Sequence, residues 1–400
     1  MVDAVKTPID IDGLRPREVV GPTTAEELAE VLHRADQDGL AVAPVGGGTQ
    51  LDLGNPPARL DLAIQTTGLS RIVEYEPADL TVTVEAGLRF EDLQKTLGEQ
   101  GQMLALDPPA APEATIGGLV ATNASGPLRF AQGTARDLVI GSRVANTDGA
   151  LTRAGGRVVK NVAGYDLNKL HVGGLGTLGV IVELSFKLQP IPPAFGTVVG
   201  HFGELDAVRT CLADVLHSPL SPLAVELVGS AADVRIVLRV GGYPEAVERQ
   251  VRDLRARVQA HGGQPLDEDL WESLKASQLE AQRKTLLLKG TVPIAQTTFL
   301  VDELQRALPG ATVWAHAGNG IAFAALDDVP AADVLRDLRQ RVVALGRENA
   351  SLVIQRCPTE LKRAIDVWGE PGPSLGLMRA LKAKLDPNTT LNPGRYVGGI

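Results

Sequence analysis

Cysteine is nearly absent. Cys211 and Cys357 are the only two in 400 residues, stand far apart and form no CxxC pair. They can neither staple a disulfide scaffold nor ligate an iron–sulfur cluster, so a reducing cytoplasm is the simplest compartment. Basic residues are in the minority, 39 Lys+Arg against 48 Asp+Glu for a net charge of −9. With aromatics at 4%, no basic, aromatic-interleaved stripe is available to read nucleic acid. No apolar run reaches the roughly 18 residues that span a bilayer. The opening MVDAVKTPIDIDG carries acids where a secretory signal has an apolar stretch. What remains, 44% hydrophobic and 22% charged, describes a globular chain with ample core and length for two to three domains.

The most unusual stretch is Asp107 to Gly126, DPPAAPEATIGGLVATNASG. Pro108, Pro109 and Pro112 remove backbone donors, Gly117, Gly118 and Gly126 permit close approaches, and Thr115, Thr122, Asn123 and Ser125 carry short polar side chains. Most of it is unsuited to regular secondary structure. It suits either a glycine-rich surface loop or a wall along a long polar ligand. A second signal is Gly46-Gly47-Gly48-Thr49-Gln50, which follows the apolar run Leu40 to Val45. Its glycines can turn several N–H groups toward one anion, although it fits neither GxGxxG nor GxxxxGK[ST]. A third is Gly155 to Pro190, where Lys160, Asn161, Tyr165 and Asp166 precede Gly173, Gly174, Gly176 and Gly179 and the strand Val180–Leu188. An ordinary ion pair between Lys160 and Asp166 is the lesser alternative.

Around these, Thr24-Ala-Glu-Glu27 has capping-box spacing and starts a helix to about Asp38. Strands are predicted at 60–64, 71–75, 81–84 and 138–146, and a helix at 89–100. Strands and helices mix without regular βαβ units, which argues α+β. Pro190, Pro192 and Pro193 mark a change of composition. Beyond them strands at 198–202, 223–227 and 234–240 and helices at 207–216, 245–260, 298–308 and 335–347 suit a second α+β unit.

In this order, GGGTQ, EAGLRFEDLQKTL, DPP…ATIGGLVATNASG, GTARDLVIG, KNVAGYDLNKL, GTLGVI and the C-terminal LDPNTTLNPGR resemble the vanillyl-alcohol-oxidase-like (PCMH-type) FAD-binding flavoproteins. Within them, the chain is similar to the FAD-binding subunits of bacterial glycolate oxidases. The resemblance implies two α+β subdomains clasping FAD over residues 1–193, an α+β cap over 194–350, and a return to the FAD domain over 351–400. It assigns Gly46, Gly47, Gly48, Thr49 and Gln50 to the pyrophosphate loop. Asp107, Thr115, Gly117, Gly118, Asn123, Ser125 and Gly126 fall along the phosphates, ribityl chain and ring. Asp137, Gly179 and Ile181 fall near the adenine, and Asn392 beside the ring. Thr49 stands where some relatives carry a flavin-tethering histidine, which implies non-covalent FAD.

The cap supplies three catalytic candidates. Relatives that oxidise 2-hydroxy acids carry a histidine–glycine turn like His316-Ala-Gly-Asn-Gly320, with a second histidine further on; here Ile321, Ala322 and Phe323 follow. A single histidine is a poor metal site, so no metal is expected, and His316 reads as a packed residue that holds the turn or as a general base. Lys275 and Lys289 lie where relatives place a basic clamp for the substrate carboxylate, or are surface lysines. The resemblance implies a subunit oxidising a small 2-hydroxy acid, with a second flavoprotein subunit and an iron–sulfur subunit as partners and membrane contact only through them. A stand-alone dehydrogenase and a non-catalytic flavin-bearing scaffold are the alternatives.

Overall fold

The computed structural model describes residues 9–109, 112–156, 165–230 and 233–400. The N-terminal part is built on two sheets. Strands β1 (Glu18–Val20), β2 (Val42–Val45) and β3 (Leu62–Gln65) pair in parallel in the order β1-β3-β2. Helix α1 (Ala25–Gln37) starts where its spacing predicts: the Thr24 hydroxyl accepts from the Glu27 N–H at 3.1 Å. The return bond is displaced by one residue, with the Glu27 carboxylate accepting from the Thr23 N–H at 2.8 Å.

The second sheet is antiparallel. It contains β4 (Ile72–Glu76), β5 (Thr81–Glu85), β7 (Val139–Ala145), β8 (Leu151–Gly155) and β9 (Val180–Lys187) in the order β4-β5-β9-β7-β8. A short ribbon, β6 (Gln102–Met103) with β10 (Gln189–Pro190), lies beside it. One face of the five-stranded sheet buries Val82, Val84, Leu184 and Phe186 against Leu93 and Leu97 of α2 (Phe90–Gly98). Its other face sends Ala145, Val180 and Val182 into the core formed by Leu28 and Leu32 of α1. The two sheets therefore share α1 as a common layer.

The segment 107–126 is not wholly irregular. Residues Ile116–Thr122 form α3, capped by the Thr115 hydroxyl, which accepts from the Gly118 N–H at 3.3 Å. Ile116, Leu119 and Val120 recur at helical spacing and are buried, and that apolar stripe outweighs the cost of Gly117 and Gly118. Gly117 is needed because a Cβ there would lie 2.7 Å from the Ala86 Cβ.

The remaining strands form one antiparallel sheet in the order β14-β11-β13-β12-β16-β17-β15-β18. They are β11 (Ala194–Phe202), β12 (Ala224–Ser230), β13 (Asp233–Gly242), β14 (Gln264–Leu266), β15 (Leu286–Thr291), β16 (Thr312–His316), β17 (Ile321–Leu326) and β18 (Ser351–Arg356). Four helices, Leu205–His217, Pro244–Ala260, Thr297–Ala307 and Ala332–Gly346, cover one face. Helix Trp271–Ala281 covers part of the other. Sequence periodicity did not reveal that helix, nor β15, whose uninterrupted apolar run is ambiguous between helix and strand. Strand β18 continues this sheet six residues past position 350.

The C-terminal segment then adds to the free edge of β2. The Val42 N–H donates to the Thr390 carbonyl at 2.7 Å, and the Asn392 N–H donates to the Val42 carbonyl at 2.9 Å. Buried Lys382, on helix Leu375–Leu385, fixes this arrangement. Its ammonium donates to the carbonyls of Thr177 and Leu391, both at 2.8 Å, and to the Asp386 carboxylate at 2.6 Å. Asp386 in turn accepts from the N–H groups of Thr390 and Leu391, both at 2.9 Å. Removing one partner of a buried pair leaves the other uncompensated. Lys382→Met should therefore lower the unfolding free energy by about 3–5 kcal/mol, read from the denaturant midpoint. An unchanged midpoint would show that the C-terminal segment docks without this ammonium.

Candidate active site

A cleft opens between the two N-terminal sheets. Its floor is the loop Gly46–Gln50 after β2, and one wall is α3 with Thr115, Gly117, Gly118 and Thr122. Ile181 from β9 and Asn392 from the C-terminal segment complete it. The floor and the wall touch backbone to backbone. A Cβ built on Gly47 would overlap the Glu113 carbonyl oxygen, and one on Gly46 would overlap the Thr115 hydroxyl. These glycines are required by the contact between the two loops, not by ligand approach alone.

The hydrogen-bond inventory locates the free donors. The first N–H groups of α3 are already used: Ile116 donates to the Leu88 carbonyl at 2.9 Å, Gly117 to the Ala86 carbonyl at 2.7 Å, and Gly118 to Thr115. By contrast, the backbone N–H groups of Gly47, Gly48, Thr49 and Gln50 donate to no acceptor among the described residues. Successive unspent amides in one loop make an anion nest. Two buried acceptors are also unpartnered, the Asn123 and Asn392 side-chain carbonyl oxygens. Both asparagines adopt positive φ, 50° and 44°, and the amide nitrogen of Asn392 is held by the Leu175 carbonyl at 2.7 Å.

Six of the residues assigned from sequence do not line the cleft: Asn123 and Ser125 border a neighbouring cavity, and Asp107, Gly126, Asp137 and Gly179 are taken up by local contacts. Both Asp107 oxygens accept from the Leu128 N–H, at 3.0 and 3.1 Å, and burial pushes its carboxyl well up. A Cβ on Gly126 would overlap the Asp107 carbonyl, and one on Gly179 would lie 2.5 Å from Val144 Cγ1. Asp137 caps its own short helix by accepting from the Thr134 N–H at 2.9 Å. In place of these residues, the cleft takes Leu119, Ala121, Leu175 and Arg395. Lys160 and Asn161 fall outside the described residues, and Asp166 pairs with Lys169 at 2.7 Å.

Next to the cleft, and sharing Gln50 with it, a second cavity lies between α3 and the large sheet. Asn123 and Ser125 line it from one side, and Lys289, Trp314, His316 and Phe323 from the other. Strand register explains the second set. Lys289 lies opposite Phe323, Phe323 opposite Trp314, and His316 two residues along from Trp314, so all four share one face of the sheet. Lys275 is not part of this cavity; it pairs with Glu272 at 2.8 Å on its helix surface.

Lys289 is lowered to about 8 by burial and by the nearby Arg129 guanidinium. Arg129 donates to the Ser125 hydroxyl at 2.9 Å, and its Nε is buried without a partner. Its helical turn is positioned by Phe130, whose ring fills the space a Cβ would need at Gly318. Neither cation has a carboxylate partner among the described residues.

His316 is buried and its Nδ1 lies 2.9 Å from both carboxylate oxygens of Glu226. Gln278 donates to the same carboxylate at 3.0 Å. Glu226 is fully buried, and burial pushes its carboxyl up against the opposing pull of His316. Sequence reasoning looked for a partner near His316 in the chain and missed Glu226, which lies opposite it on the neighbouring strand. A single acid inside the apolar run LAVELVG was the available signal. Among the described residues no cluster of three or more His, Cys, Asp or Glu could hold a metal ion, and no helix is long and apolar enough to cross a membrane.

Residues 16–155 match the model of a family described as an FAD binding domain. The chain is 26% identical to the glycolate oxidase subunit GlcD of Bacillus subtilis (strain 168), over 95% of this chain and 88% of that protein. It is 31% identical to the glycolate oxidase subunit GlcE of Escherichia coli (strain K12), over 64% of this chain and 69% of that protein. A crystal structure of p-cresol methylhydroxylase with substrate bound superposes with a TM-score of 0.73 at 16% identity, covering 97% of this chain and 90% of that one. The cofactor is FAD, and the residues of the cleft fit it. The amide nest suits a diphosphate, the orphaned Asn392 oxygen suits a ring or ribityl donor, and Val45, Leu119 and Ile181 offer apolar surface to a ring.

Because the Gly47 contact is backbone to backbone, Gly47→Val should separate the nest from α3. Flavin per chain in the purified protein should fall at least tenfold while the large sheet stays folded by circular dichroism. Normal flavin content would place the diphosphate elsewhere.

Proposed function

Because this chain belongs to the PCMH-type FAD-binding flavoproteins, the family that includes the glycolate oxidase subunits GlcD and GlcE, we propose that it oxidises a small 2-hydroxy acid as the FAD-binding subunit of a glycolate-oxidase-type complex. One observation carries the reading: a cavity lined by an unpaired cation opens beside the FAD cleft, with Gln50 bordering both. A 2-hydroxy acid is an anion whose hydroxyl sits one carbon from the carboxylate. Lys289, with Arg129 behind it, would hold the carboxylate, and Gln282 and Gln355 offer neutral hydrogen bonds around the rest. The apolar Trp314–Phe323 stack, with ring centroids 4.9 Å apart, keeps water from that wall. FAD, when bound, supplies the two-electron acceptor.

Electrons must then leave. Cys211 and Cys357 are both buried and lie in no metal-ligating group, and burial pushes each thiol up to about 11. Neither is the thiolate that an iron–sulfur cluster requires. This supports a separate cluster-bearing subunit, alongside a second flavoprotein subunit, as the next carriers. The test is the FAD-loaded chain, alone and with copurifying proteins, given glycolate and an artificial acceptor. Turnover in neither preparation would overturn the reading.

Thr49, at the place of the tethering histidine in some relatives, offers no nucleophilic nitrogen to the ring. FAD should be non-covalent, so acid precipitation should leave the yellow colour in the supernatant; colour retained in the pellet would contradict this. Lys289→Met removes a charge-assisted contact worth about 1.5–3 kcal/mol, so KM should rise about 10- to 100-fold with flavin content unchanged. Lys289 is charged below about 8, so wild-type substrate affinity should be full at lower pH and decline as pH rises through about 8. The methionine variant should lack that decline.

A further inference from the structure

We propose that Arg356 is a specificity-determining residue that receives a second, distal carboxylate, so that the preferred substrate is a short 2-hydroxydicarboxylic acid rather than a 2-hydroxy acid ending in a methyl group. The proposal rests on the hydroxy-acid reading above and narrows its substrate class.

Side-chain alternation along β18 is interrupted at its C-terminal end. Leu352 and Ile354 point into the helix-covered core, so Val353 and Gln355 face the other side and alternation would return Arg356 to the core. The pairing with β15 slips by one residue at this point: Leu288 lies opposite Ile354, but Leu287 lies opposite Arg356. Two residues of β18 therefore oppose one of β15, which is a β-bulge. Arg356 leaves the sheet on the side of Gln355, and the core resumes at Cys357. Leu287 packs with Trp314 and Phe323 on the cavity face, and Arg356 stands opposite it on that face. The bulge thus spares the core an unpaired guanidinium and aims that guanidinium at the site.

A further cavity, lined by Asp52, Arg283 and Arg356, shares Gln50, Gln282 and Gln355 with the cavity that holds Lys289. Lys289 is two residues along β15 from Leu287, so Lys289 and Arg356 are diagonal neighbours with backbones roughly 7–8 Å apart. Two cations at that spacing, with neutral glutamines between them, match the two ends of a short dicarboxylate. Lys289 takes the carboxylate beside the hydroxyl, and Arg356 takes the distal one. The guanidinium is held ready for this. Its Nε pairs with Asp52 at 2.9 Å and its Nη1 donates to the Gln282 carbonyl, while Nη2 donates to no acceptor among the described residues. Arg283 has no carboxylate partner among the described residues either. Half-exposed Asp52 is the one acid lining this cavity, against two guanidiniums, and it competes with a distal carboxylate for Arg356. A terminal methyl group would bring no charge to either arginine.

Acids of matched length test this. Flavin reduction in the FAD-loaded chain with its copurifying proteins is followed anaerobically with glycolate and with both enantiomers of four longer acids. Malate is paired with 2-hydroxybutanoate, and 2-hydroxyglutarate with 2-hydroxypentanoate. In at least one pair the wild type should favour the dicarboxylate about tenfold or more, as reduction rate per substrate concentration. Arg356→Leu should bring that ratio close to one. Arg356→Lys keeps the charge without the planar fork and should lower the ratio less. Asp52→Asn removes the competing carboxylate and should raise it. The opposite signs separate a lost contact from general damage, and Asp52→Asn decides the matter if Arg356→Leu does not accumulate as folded protein. Equal use of the paired acids by wild type, or reduction by glycolate and by none of the longer acids, overturns the proposal alone. So does an unmoved ratio in folded Arg356→Leu or Asp52→Asn. Absence of wild-type reduction by every acid, glycolate included, overturns the hydroxy-acid reading together with it.

Discussion

The contact of the Gly46–Gln50 loop with the Glu113 backbone and the Thr115 side chain is the constraint on which the rest of this structure depends. Two loops from different subdomains meet at a distance that admits no Cβ. Because the donors at the start of α3 are spent on Leu88, Ala86 and Thr115, the nest must come from the glycine loop. That division of labour gives the cleft its polarity: free amides on the floor, apolar side chains on the walls, and the orphaned acceptor of Asn392 at the margin. The C-terminal segment belongs to the same construction. It pairs with β2 immediately before the glycine loop, and the Lys382–Asp386 knot holds it there.

The large sheet contributes through alternation. Odd and even positions along β15, β16 and β17 send Leu288, Ala315 and Ala322 into the helix-covered core. Their neighbours Lys289, Trp314, His316 and Phe323 turn toward the FAD cleft. A polar cavity is tolerable there because each buried polar group has a local answer. Glu226 answers His316, and Gln278 answers Glu226. Lys289 and Arg129 have no carboxylate partner among the described residues, which supports the proposed anionic substrate. Phe130 ties the two halves together at Gly318, bringing Arg129 from the flavin side to the cap-side cavity.

The amino-acid sequence alone was enough for the local chemistry. Glycine runs, N-cap spacing and apolar periodicity identified α1, most strands of the N-terminal sheets, the nest at Gly46–Gln50 and the α+β class, because each depends on residues close together in the chain. It misread α3, where proline and glycine drew attention away from the buried Ile116-Leu119-Val120 stripe, and it overlooked helix Trp271–Ala281. It also credited Asp107, Gly126, Asp137 and Gly179 to the ligand, although their short-range roles are a buried acceptor, two close packings and a cap.

Only the tertiary structure decided which polar groups face one another. Glu226 and His316 are 90 residues apart, and nothing in either neighbourhood predicts the register that sets them opposite. The same is true of Lys289 and Arg129, which come from different halves of the chain, and of Lys275, an equally plausible lysine by sequence that the fold leaves on a helix surface. Strand pairing is long-range and has a period of two, so a shift of one residue would turn every one of these side chains to the other face. The sequence thus determined what the loops can bind, and the pairing of distant strands determined what stands beside the bound ligand.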